Sequence, residues 1–135
     1  MNTQTLERAF NKAVSVFTGD GSYDDFYGFF DPDALVVNED NPFIMDQAAY
    51  QDHMSFLADS MDTLEWVIRQ PDFQVFGGTG LVTADLTVRG KPKNDGFRQR
   101  HCVLSAVCYW DGSAWRGANL HTSTLLAHIY QMSPG

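Results

Sequence analysis

The hydrophobic period of this chain changes once, at Thr63, and that change limits the fold more than any other feature of the sequence. Before it, apolar residues recur at three- and four-residue steps; after it, they alternate through four long β-rich runs. The runs are Leu64–Gln70 continuing past Pro71 to Phe76, Leu81–Arg89, Phe97–Trp110 and Trp115–Thr124. Gly77-Gly78-Thr79-Gly80, Gly90–Gly96 and Asp111-Gly112-Ser113 separate them, each rich in turn formers. Helices followed by a meander of antiparallel strands describe an α+β domain, with the helices packed on one sheet face. Pro71 has no amide hydrogen to give a ladder, so it predicts an edge or a bulge in the first long strand.

The helical part divides into three. Leu6, Phe10, Ala13, Val14 and Phe17 form one apolar stripe that Gly19-Asp20-Gly21 ends. Ser22, with Asp25 three residues on, has the character of a capping box, and Phe26, Phe29 and Phe30 follow on one face. Asp31-Pro32-Asp33 stops that helix, Ala34–Val37 is β-like, and Asn38-Glu39-Asp40-Asn41-Pro42 reads as a turn. Asp46 caps a third helix with Tyr50, His53, Met54, Leu57 and Met61 on one face.

A length of 135 residues and a composition 44% hydrophobic and 13% aromatic suit a single domain over 1–135 with a substantial core. No apolar run approaches the roughly 20 residues needed to cross a bilayer, and the N-terminus is polar, so a soluble, cytoplasmic protein is expected. The net charge of −8 argues against a nucleic-acid partner, which requires clustered Lys and Arg. That total is uneven. From Ala13 through Ile68 there are acids but no Lys or Arg, and this segment reads as a solvated outer shell.

Cys102 and Cys108 on one strand would lie about 20 Å apart, beyond disulfide reach, and read as small buried hydrophobes. Asp20-x-Ser22-x-Asp24 begins like a calcium loop, but Asp25 stands where that loop needs glycine. No HxxxH, CxxC or GxGxxG is present, so neither a metal nor a cofactor is expected.

Trp115-Arg116-Gly117-Ala118-Asn119-Leu120-His121-Thr122-Ser123, after the Asp111-Gly112 turn, resembles the closing strand of the nuclear-transport-factor-2-like superfamily. It is most similar to the SnoaL-like, ketosteroid-isomerase-like and kinase-association-domain branches, many of which end in DG-x-W…H-x-S. Here Ser113 and Ala114 separate Gly112 from Trp115, one residue more than that pattern. Arg100-His101-Cys102 resembles the Arg-x-Thr of the penultimate strand, with Cys in place of Thr. The resemblance implies a cone-shaped fold, a curved and mainly antiparallel sheet wrapped by three N-terminal helices around a pocket, and a dimer. The superfamily's roles range from isomerase, dehydratase and cyclase to ligand binding and oligomerisation, so the fold alone decides none of them.

Register can be argued from the residues themselves. A last hairpin loop of two or four residues pairs position 110 with 115. Arg98, Arg100, Cys102, Leu104, Ala106, Cys108, Trp110, Trp115, Asn119, His121 and Ser123 then share one face. His101, Val103, Ser105, Val107, Tyr109, Ala118, Leu120 and Thr122 share the other, a milder apolar surface suited to a dimer partner. A three-residue loop would move His121 to the second set. The first face, with aromatics and convergent polar groups, has the composition of a ligand pocket.

The best polar cluster on that face is His121 with Ser123, Asn119 and Arg100. His121 is a candidate general acid–base and Arg100 a candidate holder of an anionic or enolate oxygen; a hydrogen-bonded network locking the last strand is the alternative. Asp85 is a third catalytic candidate, although alternation puts it on the more polar, outer face of its strand. Trp66, Cys102, Leu104, Trp110, Trp115, Tyr50 and His53 are candidate pocket walls or core residues, and His128 is expected to be solvated. Together these describe a homodimeric domain that binds a small, largely apolar molecule bearing a carbonyl or carboxylate group. An isomerase, dehydratase or cyclase without cofactor, and an oligomerisation module, are the alternatives.

Overall fold

The computed structural model describes residues 1–41 and 43–124; His128 and Pro42 of the expected turn lie outside them. The elements in chain order are α1 (Thr3–Thr18), α2 (Tyr23–Phe29), β1 (Phe30–Val37), α3 (Gln47–Ser60), β2 (Met61–Phe76), β3 (Thr79–Pro92), β4 (Arg98–Trp110) and β5 (Trp115–Thr124). The strands form one open sheet in the order β1-β5-β4-β3-β2. β2 to β5 are an antiparallel meander, and β1 is added parallel to β5 at the far edge. The three helices and this mixed sheet make the expected α+β architecture. No helix among the described residues is long and apolar enough to cross a membrane.

The α1 stripe is buried as its spacing predicts: Leu6, Phe10, Ala13, Val14 and Phe17 all face the sheet. Asn2 caps the helix, accepting from the Thr5 amide while the Thr5 hydroxyl accepts from the Asn2 amide. Phe17 stacks on Trp66 of β2 with ring centroids 4.4 Å apart, and Trp115 donates its indole N–H to Thr5 at 3.0 Å. These contacts fasten α1 across the sheet; truncating a buried aromatic such as Phe17 costs about 3–5 kcal/mol.

Two expected boundaries move. The second helix ends at Phe29, just before Asp31-Pro32-Asp33, but that segment already lies within β1, which begins at Phe30 and not at Ala34 and tolerates Pro32 as an edge strand. Met61 does not close the third helix; it opens β2, paired with Pro92. β2 is the other edge strand, and its ladder shifts between Arg69 and Asp72, so Pro71 marks both an edge and a bulge. Gln70, at φ 51°, turns the backbone there. Leu64, Trp66 and Ile68 thus face inward before the bulge, and Phe73 and Val75 after it.

Candidate functional site

α1 and α2 fill one end of the concave sheet face. At the other end α3, packed on β1 and β2 through Tyr50 and Met54, borders a cavity of about 670 Å³. Register defines its floor. Trp66, Val88 and Arg100 form one cross-strand row; Leu64, Gly90 and Arg98 form the next row outward. Met54 and Leu57 of α3 and Met61 at the start of β2 close the side over β2 and β3. That half is apolar. The other half is polar, built from Asn38, Glu39 and Asp40 in the β1–α3 connection, Thr122 of β5 and the two arginines of β4.

Both carboxylates on the polar side are held by groups from other elements. Glu39, whose side chain is only 5% exposed, receives Arg100 Nη2 on Oε1 at 2.8 Å and the Thr124 hydroxyl on Oε2 at 2.9 Å. Its backbone amide donates to Thr122 Oγ1 at 2.9 Å. Burial pushes the Glu39 carboxyl above the usual carboxylate range and the nearby Asp40 charge adds to this; Arg100, Thr124 and His53 oppose it. Asp40 Oδ1 accepts from His53 Nε2 at 2.9 Å and from the Asn38 side-chain amide. Asp40 Oδ2 has no hydrogen-bond partner among the described residues and so remains available to the cavity. Among the described residues no group of three His, Cys, Asp or Glu side chains is placed to hold a metal ion.

No protein-family model matches the sequence, and no curated protein matches it at a significant level. Solved structures do match in shape. A candidate dehydratase of the NTF2-like family from Streptomyces avermitilis superposes with a TM-score of 0.80 at 13% identity, over 93% of this chain and 98% of that one. The chain has the nuclear-transport-factor-2-like fold. The NTF2-like arrangement is shared with the CaMKII hub of S. rosetta, with a TM-score of 0.74 and 19% identity over 91% of this chain and 96% of that one. It is shared also with a candidate scytalone dehydratase from Novosphingobium aromaticivorans, with a TM-score of 0.77 and 10% identity over 91% and 83%.

Within the NTF2-like frame the expected site residues separate. Arg100 and Trp66 line the cavity, and His53 stands behind Asp40. Cys102 and Leu104 face inward but are packed in the core. Tyr50 is fully buried beside Phe26, with its hydroxyl unpartnered among the described residues. Trp110 and Trp115 meet edge to face, 5.7 Å between centroids; Trp115 serves the docking of α1, and neither lines the cavity.

Asn119, His121 and Ser123 require correction. Trp110 does pair with Trp115, and Cys108 with Gly117, as a four-residue loop predicts. Val107 then pairs with Asn119, leaving Ala118 as a bulge. Every later residue of β5 changes face, so Leu120 and Thr122 point inward while Asn119, His121 and Ser123 point outward. The cause lies at Gly117, where the backbone passes so close to Phe30 and Phe29 that a Cβ would sit 2.6 Å from the Phe30 ring. His121 and Ser123 bond to each other at 2.6 Å on the outer face, and His121 is exposed. Arg100 and His121 therefore do not share a site. Asp85 is outward and exposed, as alternation predicts, and borders a shallow outer groove with His121, Ser105 and Val103.

Sequence reasoning missed Asn38, Glu39, Asp40 and Thr122. Its one available signal was a pair of acids one residue after the apolar run Leu35-Val36-Val37, at the end of a strand where loops carry function.

Proposed function

We propose that this chain binds a small molecule with a largely apolar body and one polar edge. One observation carries the reading: a cavity of about 670 Å³ with an apolar half and a polar half. Ligand pockets commonly span roughly 300–1,000 Å³ and combine apolar walls with a few placed polar groups. A suitable probe is 2-acetylnaphthalene, an apolar ketone that quenches tryptophan fluorescence. Trp66 lines the cavity whereas Trp110 and Trp115 do not, so saturable quenching should vanish in Trp66→Phe. Val88→Phe, which fills the floor, should abolish binding in a thermal-shift titration. An unsaturable response, or binding that Val88→Phe leaves unchanged, refutes the reading.

The open oxygen of Asp40 favours a second reading, proton transfer on the bound molecule. Asp40 takes a proton from the carbon beside a carbonyl; the C–H electron pair forms the enolate, and Arg100 donates to its oxygen. Returning the proton elsewhere gives an isomer, with no cofactor consumed. This moves the acid–base role from His121 and Asp85 to Asp40 and keeps Arg100 as the holder of the oxygen. Deuterium uptake from D2O into the methyl group of 2-acetylnaphthalene, lost in Asp40→Asn, is the expected result; equal uptake in both proteins removes the reading.

Association of copies through the outer sheet face is compatible with either role. Leu35, Val103 and Val107 are exposed there, and neighbours named as a hub and as association domains support this reading. A homodimer is the simplest form it takes.

A further inference from the structure

We propose that the cavity selects an anion: its ligand bears a carboxylate held at the mouth by Arg98 and Arg100, with its apolar body lying along Trp66 and Val88. This rests on the binding reading above and adds the charge of the ligand to it. Arg98 and Arg100 alternate with Gln99 and His101, so both stand on the concave face, in two successive rows at the open end. Each guanidinium carries five N–H donors. Among the described residues Arg100 meets only Glu39, and Arg98 only Asp95. Most donors of both groups are therefore left for an acceptor that enters from outside.

Exposure falls with depth. The Arg98 side chain is 67% exposed and that of Arg100 47%, against 5% for Glu39. An anion at the mouth thus meets the arginines first. Of the two acids beyond, Glu39 is held by Arg100 and Asp40 by His53 on one oxygen. The Arg98–Asp95 pair is solvent-exposed, and such pairs are worth only about 0–1 kcal/mol, so a ligand carboxylate can displace it. A carboxylate also fits the guanidinium fork in a way that a single carbonyl oxygen does not.

The charge distribution agrees. Arg89, Lys91, Lys93, Arg98 and Arg100 crowd into one hairpin, with Asp95 the only acid between 89 and 100, in a chain of net charge −8. Arg89 and Lys91 pair with Glu65 and Asp62 across the sheet edge, whereas Arg98 and Arg100, each with a single acid partner, line the opening. A net charge of −8 repels anions overall, and two arginines at one opening offset that locally.

The test compares 2-naphthoate with 2-acetylnaphthalene, which share a ring system and differ in charge. With the full chain at low salt the carboxylate should bind about tenfold more tightly, and the advantage should shrink as salt is raised to about 0.5 M. Arg98→Gln, an exposed change with little bearing on folding, should weaken naphthoate at least about threefold more than it weakens the ketone. Equal binding of the two probes, or naphthoate binding indifferent to Arg98→Gln and salt, overturns the anion inference alone. If neither probe binds, the binding reading falls and this inference falls with it.

Discussion

Arg100→Met removes the charge that faces Glu39 while keeping most of the side-chain volume. Fully exposed ion pairs contribute at most about 1 kcal/mol, and breaking a fully buried pair costs about 3–5 kcal/mol. Here the acid is 5% exposed and the arginine 47%, an intermediate case. A loss of about 2 kcal/mol at pH 7 follows, in line with a hydrogen bond to a charged group. The cost should depend on pH. Burial already raises the Glu39 carboxyl above its unfolded value, so this group favours the folded state fully only below the ordinary carboxylate range. Its contribution declines as pH rises through the raised value. Without Arg100 that decline steepens. Urea unfolding of both proteins between pH 7 and about 4 should therefore show the penalty shrinking as Glu39 becomes neutral. Glu39→Gln, which keeps an acceptor for Thr124, should rescue most of the loss at pH 7. A penalty of equal size at both ends of the range, or no rescue, would mean that Arg100 acts by packing and not by charge.

Gly117→Ala should cost about 2–3 kcal/mol in urea unfolding, because its Cβ would meet the buried rings of Phe30 and Phe29. His121→Ala should leave the ketone affinity within about twofold by fluorescence titration, since the histidine is on the other face. Burial pushes the Cys108 thiol up to about 12 and raises that of Cys102 as well, so neither should react with a disulfide reagent at pH 8 until the chain unfolds. Val103→Glu, placed among exposed apolar residues of the outer face, should shift sedimentation toward the monomer if copies pair there; an unchanged mass locates the contact elsewhere.

Much of the fold was legible because it depends on periodicity. The α1 stripe, the four long strands and the bulge at Pro71 all follow from spacing or from a missing amide hydrogen. The candidate site was less so. Arg100 emerged by parity, but Glu39 and Asp40 follow the end of β1, where alternation no longer assigns a face. Thr122 was placed on the wrong side because one unpaired residue, Ala118, reverses parity for the rest of β5. Gly117 was the visible warning, since a glycine within a strand often marks a bulge or a close backbone approach. Its effect came from Phe30, some ninety positions earlier, which strand parity alone does not bring into contact.

Ala118 also leaves the last strand open to a second register. Deleting that one residue would close the ladder and leave every downstream partner in place, with Leu120 and Thr122 still inward and Asn119, His121 and Ser123 still outward. Pairing Ala118 with Val107 instead would exchange the threonine beside Glu39 for a histidine and a serine, with no residue added or lost. The contents of this cavity are thus set as much by how the strand is counted as by which residues it carries.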